Sequence, residues 1–141
     1  MNIVIVDYGI GNVKSIVNAF EEQGEKTTLS RDREVILNAN GLILPGVGAF
    51  LHGMNNLNKY GLVDIIKDYV KTDKPLLGIC LGMQMLLEES EEFGNTKGIG
   101  LIKGKVIKLP IEKSNKMKLP HISWNEIIPQ NHEIIPRMNS F

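Results

Sequence analysis

Residues 75–87 read PLLGICLGMQMLL, and the fold turns on where this run stops being strand and becomes helix. Leu76, Leu77 and Ile79 form a short apolar stretch behind Pro75, the pattern of a strand buried on both faces. Met83, Met85, Leu86 and Leu87 read as the start of a helix packed on the sheet. Cys80 falls at the junction, between Gly78 and Gly82. The spacing G-x-C-x-G is that of a nucleophile elbow, where small residues on either side let the chain turn sharply and raise the side chain above the sheet. A thiol there faces the first amides of the next helix, which favour the thiolate over its ordinary pKa of about 8.5. The Leu81 N–H points into the same space and is a natural oxyanion donor. A buried structural cysteine fits the same five residues, and on them alone both readings stand.

The surrounding sequence alternates in the same way. Asn2–Val6 is a continuous apolar run that ends in the glycine-rich turn Asp7-Tyr8-Gly9-Ile10-Gly11. Asn12 is placed to cap a helix whose apolar positions Val13, Ile16, Val17 and Phe20 recur at helical spacing, with Gly24 as its stop. A short strand over Lys26–Leu29, a helix over Glu34–Asn38 and an apolar strand over Gly41–Leu44 follow. That last strand runs into Pro45-Gly46-Val47-Gly48, then a helix is expected over Leu62–Lys71. Repeated βα units with short buried strands predict an α/β fold with a doubly wound, mostly parallel sheet. Both glycine-bearing turns then reach the sheet edge where such folds bind ligands. A Gly-Val-Gly backbone there can approach a substrate carbonyl, although PGVG by itself also fits an ordinary turn. After Ser90, glycines at 94, 98, 100 and 104 and the alternating Lys103–Leu109 segment predict short strands or hairpins, mainly antiparallel. LPHISWNEI reads as one more short strand, and the stretch from Pro129 to Phe141 has no clear period.

The 141 residues are the size of one domain, so a single folded unit over 1–141 is expected. Sixteen Lys and Arg balance sixteen Asp and Glu, with no basic stripe of the kind nucleic acid or an anionic membrane surface requires. No apolar run approaches the roughly 20 residues of a membrane span, and one cysteine suits a reducing compartment, so a cytoplasmic protein is expected. No residue pattern calls for a metal or a cofactor.

Taken as an ordered set, DYGIGN at 7–12, LILPGVGAF at 42–50, the spaced GM-x-x-L at 53–57, PLLGICLGMQMLLEESEE at 75–92 and LPHISWNE at 119–126 resemble the class I (triad-type) glutamine amidotransferases. Within that family the chain is most similar to the glutaminase subunits of imidazole glycerol phosphate synthases, from residue 1 to about 128. The resemblance implies that Cys80 attacks the glutamine side-chain amide and forms a thioester. It implies that Gly46, Val47 and Gly48 form an oxyanion segment with the Leu81 N–H as second donor. Gln84 and Glu92 would hold the amino-acid end of glutamine; read without the family, both are solvated polar residues. Asn12, Trp124 and Asn125 would lie near the interface with a (βα)8-barrel cyclase, the partner in a heterodimer that takes ammonia through a channel for histidine biosynthesis. For Trp124, core packing is the commoner use.

The chain also departs from the family. A cysteine glutaminase needs a base and a group that orients it, supplied in the family by a downstream His-Pro-Glu. The three histidines here are His52, His121 and His132; none matches the catalytic position, and His132-Glu133 lacks the intervening residue. The expectation is a fold incomplete at its C-terminus, with little glutaminase turnover by residues 1–141 alone. Two other readings stand beside this one: a paralogous amidotransferase serving a surface-sugar aminating synthase, encouraged by Ser123 where the family more often has Gly, and a non-catalytic glutamine-binding or regulatory module.

Overall fold

In the computed structural model, which describes residues 1–109, the four segments read as strands up to Gly78 form one parallel sheet. They are β1 (Ile3–Val6), β2 (Thr27–Ser30), β3 (Gly41–Leu44) and β4 (Leu76–Gly78), in the spatial order β2-β1-β3-β4. Ile3 sits opposite both Thr27 and Gly41, and Leu42 opposite Leu76, so the strands run in register with their C-terminal ends on one edge. The helices are α1 (Val13–Glu22), α2 (Arg33–Leu37), α3 (Phe50–Lys59), α4 (Leu62–Val70) and α5 (Leu81–Met85).

Alternate residues of β1 and β3 enter different cores, which is why these two strands are apolar throughout rather than alternating, whereas the outer β2 (TTLS) buries none of its residues. Val4, Val6, Leu42 and Leu44 pack with Ile36, Phe50, Met54, Leu57, Leu62, Ile66, Tyr69, Leu81 and Met85 from α2 to α5. Ile3, Ile5 and Ile43 face the other way, against Val13, Ile16, Val17 and Phe20 of α1. Each fully buried Leu, Ile or Phe contributes about 1.5–3 kcal/mol, so the first cluster dominates the stability of this unit.

Several expectations are corrected. β4 is the outer strand of the sheet among the described residues, so its residues are only partly covered and Leu77 is 54% exposed rather than buried. Leu87 is not helical: α5 ends at Met85, and Leu87–Ser90 is a strand, β5, whose four residues LEES are too few to show a period. FLHGMNNLNK, read as no element, is α3, held by its buried Phe50, Met54 and Leu57. A second sheet has the order β6-β5-β7, with β6 (Thr96–Lys97) and β7 (Ile102–Val106). β5 and β6 pair antiparallel as expected, but β7 crosses to the far side of β5 and pairs with it in parallel. Residues 1–108 form one compact unit. The strand expected at LPHISWNEI lies outside the described residues.

Candidate functional site

β3 and β4 deliver PGVG and Cys80 to the same sheet edge, and three glycines set how closely they meet. A β-carbon on Gly46 would lie 2.6 Å from the Gly82 nitrogen and 2.8 Å from Leu81 Cβ. One on Gly78 would lie 2.6 Å from Met83 Cα. Backbone therefore packs on backbone at the elbow, with Ile79 N–H donating to the Leu44 carbonyl at 3.0 Å and Gly82 N–H to the Ile79 carbonyl at 2.9 Å.

Cys80 itself is exposed and has φ 54° and ψ −117°. Such a backbone is rare for any residue with a β-carbon and costs of order 1–3 kcal/mol, sustained here by the packing around it. The exposed thiol departs from the buried structural cysteine that the same five residues also allowed. α5 is five residues long, so the dipole acting on the thiol is that of little more than one turn. Leu81 opens α5, and its N–H belongs to the first turn, which has no acceptor within the helix.

Gln84 lies one turn beyond Cys80, its N–H donating to the Cys80 carbonyl at 3.2 Å. It lines a pocket of about 550 Å³ with Glu91, Glu92, Phe93, Val106, Ile107 and Lys108. The structure thus brings Gln84 and Glu92 together, with Phe93 beside them at φ 55° and 85% exposed. Glu92 Oε2 also accepts the Phe50 N–H at 2.8 Å. α3 has Ala49 at its N-cap and no side-chain cap of its own, so Glu92 fills that role from across the fold.

Tyr8 was not singled out as a site residue in the sequence. Its side chain is fully buried and its hydroxyl donates to the Pro45 carbonyl at 2.6 Å, immediately before Gly46. Burial, with a smaller contribution from charge at Cys80, pushes the phenol up to about 12. The Tyr8 carbonyl accepts from Asn56 Nδ2 of α3 at 3.0 Å. A tyrosine in a glycine-rich turn was the only sign of this available in the sequence.

Asn12 is a correction: its side chain makes no capping hydrogen bond, because φ −84° and ψ 66° depart from the extended backbone from which a cap reaches the first turn. It is exposed at the start of α1. His52 is exposed on α3. Trp124, Asn125, His121 and His132 lie outside the described residues. Among the described residues no group of three or more His, Cys, Asp or Glu is placed to hold a metal ion, and no helix is long and apolar enough to cross a membrane.

Residues 4–139 match the family described as glutamine amidotransferase class-I. The chain is 45% identical over 133 residues to the protein named imidazole glycerol phosphate synthase subunit HisH in Sulfurimonas denitrificans, covering 94% of this chain and 64% of the relative. It is 50% identical over 125 residues to the protein of the same name in Lactococcus lactis subsp. lactis, covering 89% and 60% respectively. This chain therefore spans about three fifths of the length of these relatives. A solved structure described as a glutamine amidotransferase superimposes with a TM-score of 0.59 at 23% identity, over 70% of this chain and 52% of that one, a likeness of fold.

Proposed function

Because this chain belongs to the class-I glutamine amidotransferase family, we propose that it carries the nucleophile and glutamine pocket of a glutaminase serving imidazole glycerol phosphate synthesis. The observation that carries the reading is the strained Cys80, set between two glycines in a turn whose next residues, Leu81 and Gly82, pack against Gly46 of PGVG. In this reading the Cys80 thiolate attacks the side-chain amide carbon of glutamine, and the C–N bond breaks after the nitrogen gains a proton. Ammonia leaves and a glutamyl thioester remains, which water hydrolyses to glutamate and the free thiol.

The negative oxygen formed on attack would be met by the Leu81 N–H and by an N–H of the Gly46-Val47-Gly48 segment. Gln84 and Glu92, which line one pocket with Phe93, would hold the carboxylate and amino ends of the substrate. Among the described residues His52 is the one histidine, and its exposed position on α3 speaks against it as the base.

The names of the relatives support a synthase partner. We assign that role to a (βα)8-barrel cyclase, bound as a heterodimer near Asn12, Trp124 and Asn125 in the cytoplasm, which uses the ammonia in histidine biosynthesis with lyase chemistry. The test is capture of Cys80 by a chloroketone analogue of glutamine, followed by mass spectrometry. Faster capture than of a model thiol, with protection by glutamine, is expected. Capture at the model rate without protection would overturn the glutaminase reading.

A further inference from the structure

The proposed oxyanion segment is a short strap between two points that side chains from elsewhere hold. At its start the buried Tyr8 hydroxyl donates to the Pro45 carbonyl at 2.6 Å. At its end the Glu92 carboxylate accepts the Phe50 N–H at 2.8 Å. Between them Val47 and Gly48 are exposed, and Gly48 has φ +88°, whereas Gly46 is buried against Leu81 and Gly82.

We propose that Tyr8 is a positioning residue for this strap: its phenol orients the Pro45–Gly46 peptide and so sets where the following amides point beside Cys80. The role as an oxyanion strap rests on the glutaminase reading; the clamp itself does not. The geometry is directional. In a trans peptide the C=O and N–H point opposite ways, so holding the Pro45 oxygen towards Tyr8 turns the Gly46 N–H away from it. Tyr8 is in turn held by Asn56, which ties its backbone carbonyl to α3, the helix that the strap enters. The phenol stays protonated through the neutral range, so it remains a donor there.

Tyr69 supplies a matched control, because its hydroxyl donates to a proline carbonyl too, that of Pro75 at 3.2 Å, ahead of β4. The experiment compares Tyr8→Phe, Tyr69→Phe and the unaltered chain by amide hydrogen exchange of Gly46, the buried residue of the strap, with melting temperatures alongside. Loss of one buried hydroxyl bond should accelerate exchange in the strap by about fivefold in Tyr8→Phe, and leave it unchanged in Tyr69→Phe. Equal exchange in all three, or equal acceleration in both variants, would overturn the proposal. Should Tyr8→Phe fail to fold, 3-fluorotyrosine at position 8 keeps the ring and strengthens the phenol as donor to the Pro45 carbonyl, and strap exchange that stays at the unaltered rate would overturn it instead. Chloroketone capture of Cys80 is measured on the same samples. Faster strap exchange in Tyr8→Phe without selective capture in any sample keeps the clamp and removes the glutaminase reading. Selective capture with unchanged strap exchange does the reverse.

Discussion

A β-carbon on Gly82 would lie 1.9 Å from the carbonyl oxygen of Leu44, so the Cys80 turn and the end of β3 meet at a distance only glycine permits. The same oxygen accepts the Ile79 N–H, so it cannot move aside without breaking the β3–β4 pairing. Gly82→Ala is expected to cost about 3 kcal/mol or more, or to prevent folding, by steric displacement of backbone. Gly48→Ala is the contrast: nothing lies within 4 Å of its β-carbon position, and the cost is only that of a positive φ, about 1 kcal/mol. Urea unfolding of both variants checks the ranking, and equal losses would contradict the packing described.

Cys80 stores backbone strain that its glycine neighbours do not. Cys80→Gly removes the β-carbon from φ 54° and should relieve about 1–3 kcal/mol of strain, against roughly 0.5–1 kcal/mol of extra unfolded-state entropy. A net gain in stability of about 1 kcal/mol is expected, with all thiol chemistry lost. Cys80→Ala keeps the strain and should show no such gain. The difference in urea midpoint between the two variants is the measurement.

Removing the cap that Glu92 places on α3 should be felt at Phe50. Glu92→Ala leaves the Phe50 N–H without its acceptor and is expected to cost about 1 kcal/mol. Amide exchange should rise first at Phe50 and the following turn. Unaltered exchange there would show that the cap contributes nothing.

Alkaline pH should destabilise the unit through Tyr8. Its folded pKa is raised to about 12 from 10.0, mainly by burial, so the unfolded chain gives up the phenol proton first. Below pH 10 the contribution is fully present; it is lost progressively as pH rises towards 12, and amounts to roughly 2–3 kcal/mol. Tyr8→Phe should flatten that part of the stability curve. A curve of unchanged slope in the variant would assign the alkaline loss to other groups, Tyr69 among them.

What could be read in advance was whatever depended on local pattern. β1 and β3 were legible because both of their faces are buried, which makes the sequence apolar at every position, and α4 because Leu62, Ile66 and Tyr69 bury one stripe. The elbow glycines announced the Cys80 turn, and the ordered motifs announced the family. Other features had no local mark. α3 contains Gly53, Asn55, Asn56 and Asn58, poor helix formers, and stands on buried contacts and on a cap 42 residues away. The short segment LEES from Leu87 could not disclose that Leu87 pairs with Ile102 as a strand. The sequence by itself determined the parallel α/β layout and the placing of one cysteine at a turn. Only the tertiary structure decided how that cysteine is strained, and that Tyr8 and Glu92 hold the strap beside it, because both effects arise from contacts between segments tens of residues apart.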